Sequence, residues 1–155
     1  MSQMLTFMMG EFEAEFPDDR QYATNHMWAQ AADDDRIRFG FSAYAVRLLQ
    51  DVYFLDWLID APASLKSGQE IGSIESKKAE SSLFSPLPGK IITFNDTLLD
   101  DPSTINVDKY DRGWLFEMTV AQADTSALLS TDQYVEHLSS VWVKTQRTIK
   151  GQLND

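Results

Sequence analysis

Short runs of strand-forming residues, separated by turn residues, fill the middle of this chain and limit the folds that it can adopt. Residues 52–55 and 57–59 are rich in β-branched and aromatic side chains, and Pro62 follows them. Turn residues recur at 66–68 and at 88–89. This pattern predicts a centre made of short β-strands, with helices at the edges of the fold.

A β-hairpin is predicted just before this central region. The Asp-rich turn at 31–35 lies between two strand-like runs, at 27–29 and 37–39, and Gly40 ends the second run. At Ile92 and Phe94 apolar residues alternate with a polar one, as in a half-buried strand. The further strands that the pattern predicts are at 71–74, 82–84 and 113–118.

Helices are predicted where capping residues precede apolar ones. Ser42 is an N-cap candidate for a short helix over 43–49, and Asp101-Pro102 is typical of the first turn of another brief helix. Ser130 and Gln133 have the spacing of a capping box, which predicts a C-terminal helix. Its apolar face comprises Tyr134, Leu138, Val141, Trp142 and Ile149. The predicted fold class is therefore α+β, mainly β, with a C-terminal helix.

Length and composition favour one folded domain after an N-terminal extension. The chain has 155 residues, of which 43% are hydrophobic and 12% aromatic, and this content excludes a wholly disordered chain. Residues 1–20 form an acidic extension with a short apolar cluster, which we expect to be a loose tail or a turn docked on the body. Residues 21–155 are predicted to be a single domain.

The net charge and the N-terminal sequence indicate which partners and which cellular location to expect. The formal net charge is -11, which disfavours nucleic acid and anionic membranes as partners. The first nine residues hold no positive charge, and acidic residues follow at once, which is unlike a secretory or transit sequence. A cytoplasmic location is the prediction.

The side chains offer little catalytic chemistry of their own. The chain has no cysteine and only two histidines, so a thiolate metal site is excluded and a serine triad or a histidine metal site is disfavoured. No metal site is predicted, since the acidic runs at 33–35 and 100–101 fit turns and caps. We interpret His26 as a structural histidine and His137 as a surface residue of the C-terminal helix.

Two adjacent lysines stand out in the polar segment between the runs at 71–74 and 82–84. Lys77 and Lys78 fit an ordinary solvated turn, because turns are polar. They also fit a lysine displayed at a hairpin tip for acylation, where an attached group swings on a long stem. Spacing alone leaves both interpretations open, and the flanking sequence favours the second.

Residues 22 to about 142 resemble the glycine cleavage system H protein family. The family's lipoylation signature Glu-Ser-Val-Lys-Ala is similar to Glu75-Ser76-Lys77-Lys78-Ala79. Other family landmarks occur in the same order along most of the chain. They are His26-Met27-Trp28, Gly40-Phe41-Ser42, Leu49-Gln50-Asp51, Pro86-Leu87-Pro88-Gly89, Asn95-Asp96, Ile105-Asn106, Tyr110 and Gly113-Trp114.

The resemblance implies a fold, a cofactor and a set of partners. The fold is a lipoyl-domain-type β-sandwich (a barrel-sandwich hybrid) with added helices. The resemblance further implies that Lys78 carries lipoic acid in amide linkage, within the motif formed by Glu75, Ser76, Lys77 and Ala79. The protein is then a non-catalytic carrier with a swinging arm, loaded by a lipoate ligase or lipoyl transferase. In the family, the arm shuttles an aminomethyl group between a pyridoxal-phosphate glycine decarboxylase, an aminomethyltransferase and dihydrolipoyl dehydrogenase.

Four residues depart from the family pattern. Lys77 places a second amine before the lipoyl lysine, and Gln50 replaces a glycine. Met27 replaces a glutamate, and Tyr44 stands where the family helix usually has histidine; both positions belong to the family's cleft for the loaded amine. A thioether and a phenol bind a cationic amine less well than a carboxylate does. We hypothesise that this chain keeps the arm but has lost the groove for an aminomethyl load.

Three interpretations follow from the resemblance and its departures. The first is a carrier of glycine cleavage. The second is a divergent lipoate-binding carrier of another pathway, such as bacterial sulfur oxidation beside a heterodisulfide-reductase-like complex. The third is an unlipoylated scaffold protein that retains the fold while Lys78 stays free.

Overall fold

A computed structural model describes residues 3–33 and 35–154 of the chain, with side chains up to residue 146. The strands are β1 (Met4–Met9), β2 (Phe12–Pro17), β3 (Gln21–Tyr22), β4 (Met27–Ala31), β5 (Arg36–Phe41), β6 (Val52–Trp57), β7 (Ala63–Leu65), β8 (Glu70–Ser76), β9 (Glu80–Phe84), β10 (Gly89–Phe94) and β11 (Phe116–Thr119). The helices are α1 (Ala43–Leu49), α2 (Thr97–Asp100), α3 (Thr104–Val107) and α4 (Thr131–Asn154), with a 3-10 helix at Gln122–Ala127.

Two antiparallel sheets form the body of the protein. The larger sheet has the strand order β3-β4-β5-β11-β10-β7, and the smaller one has the order β6-β8-β9. Phe39 and Phe116 of the larger sheet belong to the same buried cluster as Ile74 and Leu83 of the smaller sheet. The prediction of a mainly β sandwich with added helices is therefore confirmed.

A second apolar cluster joins the N-terminal residues to α4. Strands β1 and β2 pair as a separate hairpin, which the sequence pattern did not predict. From β2, Phe16 is fully buried and packs edge-on against Tyr134 of α4, while Tyr22 stacks on the same ring. The treatment of residues 1–20 as an extension separate from a domain at 21–155 stays a prediction.

The C-terminal helix begins as its capping residues predict. The backbone N–H of Ser130 donates to Gln133 Oε1 at 2.9 Å, and the N–H of Gln133 donates to Ser130 Oγ at 3.2 Å. Tyr134 and Leu138 are fully buried, and Val141 and Trp142 are partly buried, so the predicted face packs on the body. The side chain of Ile149 lies outside the described side chains.

The prediction for α1 is confirmed in position, and two predicted boundaries elsewhere are wrong. Ser42 is the N-cap residue of α1, but its hydroxyl makes no capping bond and instead lies 2.8 Å from Tyr134 Oη, because α4 brings an aromatic hydroxyl to it. Asp101 ends α2, and α3 begins after Ser103. The last predicted strand starts only at Phe116, since Gly113 lies in a turn and residues 114–115 have no regular structure.

No helix in the described part of the chain is both long enough and apolar enough to cross a membrane.

Candidate functional site

The paired lysines lie in the turn that joins β8 to β9. The last strand pair before the turn is Glu75 with Glu80. The N–H of Ser76 donates to the carbonyl of Ala79 at 2.9 Å, and the N–H of Ala79 donates to Ser76 Oγ at 3.2 Å. Ser76 is 4% exposed, so a buried hydroxyl holds the two ends of the turn together.

Both lysines of the turn are exposed to solvent. Among the described residues, neither forms an ion pair. The backbone N–H of Lys77 donates to the carbonyl of Asp51 at 2.8 Å, which ties the turn to the connection between α1 and β6. The predicted exposed turn is confirmed, and its amines are open to a modifying enzyme.

The connection that supports this turn has an unusual backbone at Gln50. Its φ is 59° and its ψ is -143°, a combination that suits glycine and strains other residues. Asn106 of α3 holds it in place, because its Nδ2 donates to the carbonyl of Gln50 at 2.6 Å and its Oδ1 accepts from the N–H of Val52 at 2.9 Å. This backbone conformation explains the family's glycine at this position. In this chain Gln50 adopts the same conformation with backbone strain.

A groove of about 390 Å³ runs beside the lysine turn, on the side of β9. Ala79 belongs to the turn and Glu80 follows it directly. Both residues also line the groove. Most of the wall is apolar, and Glu80 is the one carboxylate among its lining residues. The lining residues are Asn25, His26, Met27, Phe41, Ala45, Leu48, Leu49, Ile74, Ala79, Glu80, Ser81, Ser82, Leu83 and Phe84.

The two predicted cleft residues occupy different places. Met27 is 2% exposed and belongs to the groove lining. Tyr44 is fully buried, and its hydroxyl lies 2.9 Å from Thr145 Oγ1 of α4 rather than in the groove lining. Its ring packs 4.6 Å from the ring of His26, measured between centroids. Tyr44 therefore lies behind His26 and outside the groove lining.

His26 is a groove residue that sequence reasoning assigned only a structural role. Its φ is 71°, and its Nδ1 lies 2.9 Å from Tyr134 Oη, within hydrogen-bond distance. Burial lowers the pKa of His26 to about 4, and His137, whose ring centroid is 6.3 Å away, adds to the effect. The imidazole is therefore neutral at pH 7. His137 is partly buried rather than fully exposed, since α4 packs against the body.

The antiparallel sandwich and its exposed lysine hairpin define a lipoyl-domain-type carrier fold. The family model described as "Glycine cleavage H-protein" matches residues 20–141 of the chain. The chain belongs to the glycine cleavage H-protein family, whose members are lipoyl carriers.

Individual relatives agree with the family match. The chain is 36% identical over 128 residues to the glycine cleavage system H protein of Stenotrophomonas maltophilia, covering 82% of this chain and 97% of that protein. It is 39% identical over 123 residues to the one from Listeria welshimeri, covering 79% and 97%. A crystal structure of a glycine cleavage system H protein from Mycobacterium marinum is similar with a TM-score of 0.68 and 32% identity, covering 80% of this chain and 99% of that one.

We predict that Gln50→Gly stabilises the protein by about 1 kcal/mol. Relief of a strained backbone is worth about 1–3 kcal/mol, and the greater freedom of glycine in the unfolded chain offsets about 0.5–1 kcal/mol of it. Urea unfolding at pH 7 measures the change. The matched control is Ser140→Gly, at an exposed position of α4, which should be destabilising. A lower free energy of unfolding for Gln50→Gly would contradict the strain at this corner.

We also predict that stability falls with acidification between pH 6.5 and pH 4. The unfolded chain has a histidine pKa near 6.5, whereas the pKa of His26 in the folded protein is about 4, so the unfolded state binds more protons in this window. The expected loss between pH 7 and pH 5 is about 2 kcal/mol in the free energy of unfolding. His26→Asn, which tolerates a positive φ, should lose most of this dependence. An unchanged pH profile for that variant would show that other groups cause it.

Proposed function

We propose that this chain is a non-catalytic carrier of glycine cleavage, with a lipoyl group in amide linkage on Lys78. The observation that carries the proposal is the exposure of Lys77 and Lys78 in the β8–β9 turn, which has the register of the family's lipoylation motif in a chain of that family. The partners that follow are a lipoate ligase or lipoyl transferase for loading, and the decarboxylase, the aminomethyltransferase and dihydrolipoyl dehydrogenase for the shuttle.

Lys78 is the better acceptor of the two amines. It occupies the position of the lysine in the motif, directly before Ala79. The backbone of Lys77 is bound to the carbonyl of Asp51, which places that residue on the side of the turn that faces the α1–β6 connection. Lys78 is also the turn residue next to Ala79, which lines the groove. A group attached to Lys78 is therefore one residue nearer in the sequence to the groove lining than a group attached to Lys77 would be.

The side chains that line the groove match the chemistry of a lipoyl group, which has a hydrocarbon stem and an amide. The apolar side chains of Met27, Leu83 and Phe84 would hold a hydrocarbon stem and exclude water from it. Asn25 also lines the groove; its Nδ2 donates to the carbonyl of Phe84, and its buried Oδ1 has no hydrogen-bond partner among the described residues. Such an acceptor suits a donor on a bound group. When bound, the lipoyl group supplies the pair of sulfur atoms that a chain without cysteine lacks.

The groove residues of this chain suit a neutral arm better than a cationic load. Met27 brings a thioether to the lining where the family has a carboxylate, and His26 is uncharged at pH 7. The carboxylate of Glu80, an exposed residue, remains to attract an amine. A charge-assisted hydrogen bond to an exposed carboxylate is weakened by water and salt. We therefore propose that the arm is kept and that an aminomethyl load is held loosely.

The glycine cleavage interpretation is preferred to the other two because the curated relatives at 36–39% identity bear that name. A divergent carrier of sulfur oxidation and an unlipoylated scaffold have no comparable support. The departures at Met27 and Tyr44 bear on how the load is held rather than on membership of the family.

We predict that lipoylation in a host with an active lipoate ligase shifts the intact mass of the wild type by one lipoyl group. Lys78→Arg should abolish the shift, because arginine does not act as an acyl acceptor. Lys77→Arg is the matched control, since it changes the neighbouring exposed lysine in the same turn, and it should keep the shift. A shift retained by Lys78→Arg and lost by Lys77→Arg would reassign the attachment lysine. No shift in the wild type would rule out the carrier proposal.

The load itself is tested by glycine–bicarbonate exchange with glycine decarboxylase and lipoylated protein. We expect exchange above the level of the Lys78→Arg variant, which measures the background. Met27→Glu restores a carboxylate to the groove lining and should raise the exchange rate several-fold, because the amine then gains a charged partner. Equal rates for Met27→Glu and the wild type would contradict the proposed loose hold. Exchange at the background level would instead favour a different pathway.

A further inference from the structure

A bulge in β6 exposes two aromatic side chains in succession beside the lysine turn. The pairing of β6 with β8 shifts register between Val52 and Phe54. As a result Val52 and Leu55 are buried, whereas Tyr53 is 61% exposed and Phe54 is 45% exposed. In a regular strand, alternation would turn one of two successive side chains inward. The bulge thus re-aims an aromatic side chain toward solvent, as bulges near functional sites often do.

The aromatic pair lies at the end of the sheet that carries the lysines. Val52 is opposite Ser76, and Phe54 is opposite Glu75, the residue where β8 approaches the turn. The carbonyl of Asp51, one residue before β6, accepts the bond from Lys77. In the smaller sheet β6 is an edge strand, on the opposite side of β8 from β9 and its groove. The aromatic pair and the groove therefore flank the lysine turn from opposite sides.

The charges around the pair are mainly negative. Carboxylates occur at Asp51 and Asp56 on the β6 side and at Glu75 and Glu80 beside the turn. Across residues 51–56 and 75–80, the two turn lysines are the only cations. Exposed aromatic surface that is rimmed by charge is typical of a protein contact, and the complementary partner has a basic rim.

We infer that Tyr53 and Phe54 form the docking surface for the enzyme that acylates Lys78, a partner with an apolar contact patch bordered by basic side chains. This inference rests on the proposed function. The acylating enzyme must bring its reactive carbon to Nζ of the unmodified lysine, so it has to cover the strand ends beside the turn. Later partners meet an arm lengthened by the attached group and need not cover the same surface.

The step that this docking serves is a simple acyl transfer. The neutral amine of Lys78 attacks the carbonyl carbon of an activated acyl donor, such as an acyl adenylate bound to the enzyme. A C–N amide bond forms, the bond to the adenylate oxygen breaks, and AMP leaves with that electron pair. One proton is released from nitrogen, and nothing is oxidised or reduced.

The experiment measures the acylation of full-length protein by purified lipoate ligase with lipoate and ATP. The variants are Tyr53→Ser and Phe54→Ser, and each is expected to raise KM at least about tenfold with little change in kcat, since aromatic anchors dominate many interfaces. Leu58→Ser is the matched control, because Leu58 is an apolar residue just past the far end of β6 with 56% exposure. It should leave both constants unchanged.

Thermal unfolding of each variant shows whether the fold is intact. Phe54→Tyr should retain a low KM if an aromatic contact is what matters.

The outcomes separate the two proposals. A wild type that the active ligase does not acylate would overturn the proposed function. If the wild type and the folded Tyr53→Ser and Phe54→Ser variants are acylated with equal kcat/KM, only the proposed docking surface is overturned. Normal acylation combined with impaired decarboxylase exchange by the lipoylated variants would assign the pair to a later partner, which also overturns the inference. Protection of the β6 amides from hydrogen exchange on ligase binding would support it.

Discussion

The backbone hydrogen bond from Lys77 to Asp51 connects the lysine turn to the rest of the fold. The turn closes on itself through Ser76 and Ala79, but this outside bond orients it with respect to the body. Asp51 in turn follows the strained corner at Gln50, which Asn106 holds from α3 by two hydrogen bonds. A chain of backbone and amide contacts thus presents the amines without using either lysine side chain, and both remain open to chemistry.

This arrangement divides the surface around the turn into two parts. On the β9 side lies a mostly apolar groove, which suits the storage of a hydrocarbon arm. On the β6 side lie Tyr53 and Phe54 among carboxylates, which suits a protein partner. A carrier has to be loaded once and then used repeatedly, so separate surfaces allow the two events to be tuned independently. The acidic character of the whole chain favours basic partners on either side.

Much of the fold and of the candidate site was predictable from local patterns. The β4–β5 hairpin, the β8–β9 turn with its lysines, and the capping box of α4 all depend on residues close together in the sequence. The β1–β2 hairpin was missed although Glu13 and Glu15 alternate with Ala14 and Phe16 as in a half-buried strand, because the acidic composition of the segment is also typical of a solvated tail. The apolar surface that its buried face packs on is supplied by α4, far away in the sequence. The missing capping bond of Ser42 has a similar cause, since the hydroxyl of Tyr134, a distant neighbour in the sequence, takes up the Ser42 side chain.

The sequence by itself determined the class of the protein, because the lysine motif, its spacing and the order of the family landmarks are properties of the chain. Only the tertiary structure decided the surroundings of that lysine. The neutral state of His26 comes from burial beneath α4, and the burial of Tyr44 comes from contacts more than a hundred residues away along the chain, at Thr145. The outward turn of two successive aromatic residues comes from a register shift between β6 and β8, and such a shift is a property of paired strands that neither strand specifies alone.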